Sequence, residues 1–173
     1  MQLCDAFDIP ILSLCDTPGF MVGPEAEKTG LVRHVCRMFV TAASLHVPWF
    51  TVVLRKGYGL GAQAMAGGGF HAQCFTISWP TGEFGGMGLE GAVRLGYRKE
   101  LEAVVDPGER DKLFQKLVAR YYEEGKATSI ASVLEIDQAI DPVETRRWII
   151  RGLDSCAPPH PRQGKKRPFI DAW

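Results

Sequence analysis

Apolar residues fall along this chain in short continuous runs, set apart by glycine- and proline-rich stretches and by longer segments of helical spacing. The run "IPILSLC" at residues 9–15 reads as a buried strand ending at Asp16. Ahead of it, "MQLCDAFD" reads as the last turn of a helix and a short loop. "DTPGFMVGPEAEKTG" is punctuated by Pro18, Gly19, Gly23 and Pro24 and is read as a loop. Over residues 30–46, Leu31, Val35, Met38, Ala42 and Leu45 recur three or four apart, the stripe of a helix facing a core, with Pro48 marking its end. "WFTVVL" (49–54) is a second buried strand, a glycine loop and short helix follow, and "QCFTISW" (73–79) is a third strand. The order β-α-β-α-β, with strands too hydrophobic to face solvent, predicts a largely parallel sheet covered by helices.

A second glycine cluster, "PTGEFGGMGLEGA" (80–92), leads into helical sequence. Asp106-Pro107 starts a helix that places Leu113, Leu117 and Tyr121 on one side. Another begins at "DPVETRR", where Asp141 as N-cap, Pro142 at the first position and Glu144 at the third form a capping pattern. From Ala157 the chain turns proline-rich and basic, with Arg162, Lys165, Lys166 and Arg167. Residues 1–156 are expected to form one domain and 157–173 an extended tail, either solvated or strapped across a partner subunit, since Phe169, Ile170 and Trp173 suit water poorly. The start of the chain predicts an incomplete layer, as for a fragment of a longer protein.

Composition narrows the partners more than the fold. The 173 residues are 46% hydrophobic and 23% charged, with zero formal net charge, so no strong field draws the chain to nucleic acid or to an anionic membrane. Without a leader or a long apolar run, the expected location is the bacterial cytoplasm or the mitochondrial matrix. Five scattered cysteines do not form a disulfide framework, and His71 with Cys74 is a lone HxxC, read as structural. No metal is expected. His34 and His46 lie on the predicted helix and are assigned to structure.

The candidate chemistry gathers at "RKGYGLGAQAM", residues 55–65. Gly57, Gly59 and Ala62 satisfy GxGxxA, but the following strand ends Trp79-Pro80 without the acid that would hold a ribose, and Glu83 lies beyond it in a glycine-rich loop. No GxxxxGK[ST] phosphate loop occurs. In the frame of a GxSxG nucleophile elbow, Gly59 stands where serine belongs. The backbone remains. Successive N–H groups at a strand-to-helix turn can stabilise a developing oxyanion without any side-chain nucleophile. The plain alternative is that the glycines only let helix and sheet pack closely.

Four segments, "LCDAFDIPILSLCDTPGFMVG", "TVVLRKGYGLGAQAM", "WPTGEFGGMGLEGAV" and "IDPVETR", resemble in order and spacing the C-terminal domain of the β-type carboxyltransferases of biotin-dependent acyl-CoA carboxylases. That family includes propionyl-, methylcrotonyl- and acetyl-CoA carboxylases. The resemblance implies an α/β, crotonase-like fold and the second of two related domains, the first being the one that chiefly holds the acyl-CoA. It implies transfer of a carboxyl group from carboxybiotin to the α-carbon of an acyl-CoA, or the same half-reaction reversed in a sodium-pumping decarboxylase.

Residue by residue, it places a backbone oxyanion hole for the ureido oxygen of biotin at Leu60 and Gly61, within Gly57, Tyr58 and Gly59. Many relatives carry glycine and alanine where this chain has Leu60 and Gly61, which keeps the donors and alters the pocket's shape. It adds Pro18, Gly19 and Phe20 of "DTPGF" and Gly86 and Met87 of "FGGMG" as biotin-side neighbours. A turn role for Asp16 and a packing role for the second cluster stand beside these assignments. The α-proton is implied to pass to biotin itself, so no side-chain base is called for. The chain lacks an AMKM-like biotin attachment motif and an ATP-binding loop. The implied partners are an acyl-CoA, a biotin carboxyl carrier, a biotin carboxylase component and further copies in an oligomer. Two rivals stand: a crotonase-type hydratase or hydrolase using Glu83 and Glu90 as a carboxylate pair, and a non-catalytic assembly module.

Overall fold

The computed structural model describes residues 1–71, 74–159, 161 and 163–171. Gln73, placed at the start of the third predicted strand, and Arg162 and Trp173 of the tail lie outside the described residues. The short helix α1 (Gln2–Ala6) precedes strand β1 (Ile11–Thr17). Helices α2 (Pro24–Lys28) and α3 (Leu31–Ala43) lead to β2 (Trp49–Tyr58), then α4 (Gly59–Met65) and β3 (Phe75–Ser78). Strand β4 (Glu83–Gly85) is followed by α5 (Leu89–Gly96), α6 (Arg98–Ala103), α7 (Pro107–Glu124) and α8 (Ala127–Ser132). Strand β5 (Gln138–Ala139), a 3-10 turn over Pro142–Glu144 and α9 (Thr145–Ser155) close the series.

All strand pairs are parallel, in the order β1-β2-β3-β5. The long strand β2 organises the sheet. Its first half pairs with β3 from Phe50–Phe75 to Val53–Ser78, and its last three residues pair with β4, Lys56 opposite Glu83 and Tyr58 opposite Gly85. The expected strand 49–54 therefore runs on through Arg55–Tyr58, because partners on both sides take its backbone groups. Glycine at 57 costs the strand side-chain contact, yet it leaves room for Phe84, whose ring would lie 3.3 Å from a Cβ there.

Alternation along β2 feeds two cores. Val53 packs with Cys15, Ala62, Phe84, Ala127 and Ile136 on one face. Val52 and Phe50 pack with Phe75, Ile77 and Ile140 on the other, under Trp148 and Ile149 of α9. Each fully buried Val or Phe stabilises the fold by roughly 1.5–3 kcal/mol. Helix α9 reaches the sheet at Gly152, where a Cβ would lie 2.7 Å from the rings of both Phe50 and Phe75.

Several expectations are corrected. β1 is an edge strand, and Leu12 and Leu14, in register with Phe50 and Val52, are 42% and 51% exposed, so α9 covers β2 and β3 but not β1. Five residues of the expected loop, Pro24–Lys28, are helical, with proline at the first turn. The second glycine cluster contains β4 and opens α5. The Asp141 carboxylate caps the N–H of Val143, as expected, but Glu144 turns to Arg147 at 3.2 Å and the first turn is 3-10. Asp106 caps α7 by accepting from the N–H of Glu109 at 2.8 Å.

The described tail residues carry no helix or strand, and they return to their own chain. Asp5 of α1 is 1% exposed, and its carboxylate meets Lys166 Nζ at 3.0 Å and Arg167 Nε at 2.6 Å, while the His46 N–H donates to it at 2.8 Å. Burial alone would raise its pKa, but these donors hold it down at about 2. Gln2 and Asp171 exchange two hydrogen bonds.

Candidate functional site

Three loops leave the carboxyl ends of parallel strands β1, β2 and β4 and meet there, where ligand crevices form in such sheets. From β1, Thr17 Oγ1 accepts the Gly19 N–H at 3.3 Å and shapes the Pro18–Gly19–Phe20 turn. From β2, the chain passes Tyr58 and enters α4 at Gly59. From β4, it runs through Gly86 and Met87 to the start of α5 at Leu89.

Contact between the loops depends on missing side chains. Gly59 has φ +58°, and a Cβ there would stand 2.7 Å from the Gly86 carbonyl oxygen. A Cβ at Gly61 would meet Cα and the carbonyl carbon of Gly19 at 3.0 Å. Backbone thus packs on backbone, and the expected residues Gly19, Gly59, Gly61 and Gly86 are neighbours. Pro18 is exposed and Phe20 half-buried beside them.

Leu60 and Gly61 lie in the first turn of α4, where a helix supplies no acceptor for its N–H groups. Gly61 is buried, while the Leu60 side chain is 59% exposed and Met87 is 42% exposed. A Cβ on Gly86 would meet nothing within 4 Å, so open space adjoins the turn on that side.

Tyr58 anchors the turn from below. It is 4% exposed, and its hydroxyl donates to Glu83 Oε2 at 2.9 Å; burial first and this carboxylate second push its pKa well up. The hydroxyl of Tyr122, on α7, donates to Glu90 Oε1 at 2.9 Å. The backbone N–H at Glu90 and then this hydroxyl hold the Glu90 carboxyl below its usual range. Asp16 accepts from the Lys56 N–H at 3.1 Å and pairs with Arg55 at 3.0 Å, which lowers its pKa and spends the Arg55 charge locally. These contacts fasten the end of β1 to β2 and lie outside the Pro18–Gly19 turn.

Thr17, Glu83 and Tyr122 were not singled out by sequence as supports of this site. Thr17 sits inside "DTPGF", so an ST-turn signal was present. The Tyr122–Glu90 pair joins distant segments and leaves no local signal. A cavity of about 930 Å³ lies elsewhere: His46, Pro48, Leu153, Cys156 and Lys166 line it, and none of the candidate residues does. His71 faces Glu135 at 3.8 Å. Among the described residues no three His, Cys, Asp or Glu side chains are grouped to hold a metal ion, and no helix is long and apolar enough to cross a membrane.

The carboxyl transferase domain model matches residues 1–160. The carboxyltransferase subunit of propionyl-CoA carboxylase from Haloferax mediterranei is 38% identical over 154 residues, 88% of this chain and 29% of that protein. A single-chain, multi-domain long-chain acyl-CoA carboxylase superposes with a TM-score of 0.74 at 58% identity, covering 86% of this chain and 14% of that one. The transcarboxylase 12S structure with methylmalonyl-coenzyme A and methylmalonic acid bound gives a TM-score of 0.77 at 34% identity, covering 93% of this chain and 31% of that one. The chain spans under a third of the length of the curated relatives it matches. Its parallel sheet and covering helices are those of these carboxyltransferases, an α/β, crotonase-like fold. On the match over nearly its whole length, the chain belongs to the carboxyl transferase domain family.

Proposed function

We propose that this chain is the biotin-side half of an acyl-CoA carboxyltransferase site, formed by residues 1–156 with the tail fastened behind it. The observation that carries this reading is the turn itself: two successive N–H groups of a helix's first turn, at Leu60 and Gly61, held between two glycine loops beside open space. Carboxybiotin, presented by a carrier on a partner domain, supplies the carboxyl group that passes to the α-carbon of an acyl-CoA. The Leu60 and Gly61 N–H groups donate to the ureido oxygen as negative charge gathers on it. Leu60 and Met87 offer apolar surface to the ring system. Thr17 and the Tyr58–Glu83 pair position the loops, so the donors need no reorganisation during the reaction. The other half of the site, including most of what selects the acyl group, comes from a companion domain or a second copy. The acyl-CoA bound by the transcarboxylase relative supports this assignment of substrate class.

The hydratase rival is less well supported, because both of its carboxylates already accept tyrosine hydroxyls. Amide NMR of the isotope-labelled chain titrated with free biotin tests the proposal. Shifts at the Leu60 and Gly61 amides are expected. In Leu60→Pro, which removes a donor yet suits a helix's first turn, the Gly61 shift should shrink and biotin binding weaken. Biotin-induced shifts confined to other residues would contradict the site. Vigorous decarboxylation of methylmalonyl-CoA by this chain with free biotin would contradict its being half of one.

A further inference from the structure

The loop that carries Gly86 and Met87 faces Gly59, and both of its ends are tied to the carboxyl end of α7. Its entry is β4. There the Phe84 N–H donates to the Gly125 carbonyl at 2.8 Å and the Ala127 N–H donates to the Gly82 carbonyl at 3.0 Å, so β4 lies between β2 and the residues that follow α7. The approach is close: a Cβ at Gly125 would run into the Phe84 carbonyl oxygen. The loop's exit is the first turn of α5. Met87 lies along that turn, its Cε 3.6 Å from where a Cβ of Gly91 would stand. Glu90 belongs to the same turn, and its carboxylate accepts the hydroxyl of Tyr122, in the last turn of α7, at 2.9 Å. Farther along α5, the Arg94 guanidinium lies over the Phe114 ring, 5.1 Å from its centroid, and the rings of Tyr97 and Tyr121 meet edge to face at 6.1 Å. These last contacts hold α5 on α7 without help from the Tyr122 hydroxyl. What the hydroxyl adds is a fixed place for the first turn of α5, the one that leads out of the loop.

We propose that Tyr122 is a positioning residue of the biotin-side site: acting through Glu90, its hydroxyl holds the start of α5, and with it Met87, against the α4 turn. The proposal rests on the biotin-side reading above, in which Met87 offers apolar surface to the ring system. A methionine side chain is unbranched and adaptable, so where its surface is presented depends on how firmly its backbone is held. The bond from Tyr122 is charge-assisted, which strengthens it, while Glu90 is exposed and water competes for its carboxylate. Its loss should therefore shift the loop and leave the fold standing.

The test is amide NMR of the whole chain carrying Tyr122→Phe, which keeps the ring and removes the hydroxyl, with urea unfolding alongside. Without ligand, the Met87 and Gly88 amides should move while those of Leu60 and Gly61 stay, at a urea midpoint close to that of the wild type. With free biotin, the shifts should still fall at Leu60 and Gly61, with affinity weakened roughly two- to fivefold. Glu90→Ala should weaken it equally and the double variant no further, because each change removes the same bond. Glu90→Gln keeps an oxygen for the hydroxyl and should retain most of the wild-type affinity, which a general loss of packing would not allow. The proposal is overturned if the Met87 and Gly88 amides of Tyr122→Phe match the wild type, if they move while biotin binds as tightly as before, or if the double variant loses the sum of the two single losses. A wild type without biotin shifts at Leu60 and Gly61 is a different failure. It contradicts the biotin-side reading, and the tie from Tyr122 to Met87 is then judged on the unliganded amides alone.

Discussion

At the scale of single residues, the site depends on what Gly59 lacks. A methyl group there would meet two obstacles: the left-handed backbone at φ +58° and the Gly86 carbonyl at 2.7 Å. The first alone costs roughly 1–2 kcal/mol. Gly59→Ala should therefore destabilise the chain by about 2 kcal/mol or more in urea unfolding, and should broaden or move the amide resonances of Gly86 and Met87. A variant as stable as the wild type would mean that the two loops do not touch. The substitution of Leu60 behaves differently. Leu60→Ala keeps the N–H, so biotin binding should change far less than in Leu60→Pro; in a complete transferase, loss of one such donor lowers kcat by about 10²–10³. Much of this was legible in the chain: three alternating glycines after an apolar run announce a backbone site, and the absence of serine at Gly59 excludes a nucleophile elbow. Which glycine faces which loop was not legible, because the Gly59–Gly86 and Gly61–Gly19 contacts join segments far apart in sequence.

At the scale of elements, helical and strand periodicity located β1, α3, β2, β3, α7 and α9, and missed α2, β4, α6, α8 and β5. Strand β4 is three residues long and carries two of the chain's glycines within or just beyond it, so no alternation could reveal it; it exists because β2 outruns β3 and needs a partner for its last residues. The wrong expectation for β1 has a different cause. An apolar run states that burial is favourable, and it does not state which neighbour supplies it. Leu12 and Leu14 find none among the described residues of this chain's α9 face. The packing of α9 is the most sensitive of the helix–sheet contacts. Gly152→Ala would press a methyl group onto Phe50 and Phe75, and overpacking of this kind costs about 1–3 kcal/mol. A thermal midpoint lowered by several degrees, with the helix content retained, is the expected result.

At the scale of the whole molecule, the tail and α1 hold each other through a buried charge. Removing Arg167 would leave Asp5 with less than full compensation, so Arg167→Ala should cost about 2 kcal/mol, the size of a hydrogen bond to a charged group. The pH dependence follows from the carboxyl. Asp5 has a folded pKa of about 2 against an ordinary 3.8, so its contribution is complete above about pH 4 and disappears as the pH falls toward 2. Because Lys166 and Arg167 remain partly open to water, that contribution is on the order of 1–2 kcal/mol. Acid unfolding of wild type and Asp5→Asn should converge below pH 2 and separate above pH 4. Identical curves across that range would remove the carboxyl from the account.

The Asp5 cluster also bears on the order of folding. Its partners are nearly the whole chain length away, so closing that loop carries an entropic cost that local turns do not. During synthesis Asp5 emerges long before Lys166 and Arg167, and a carboxylate cannot be sealed inside while its cations are still unmade. Helix α1 should dock last, after the sheet and α9 have formed, and its amides should be among the first to exchange with solvent. A chain ending at Ala157 should keep the protection of β2 and β3 and lose that of α1. In such a chain α1, made before the sheet, would still be without the cations that seal its carboxylate.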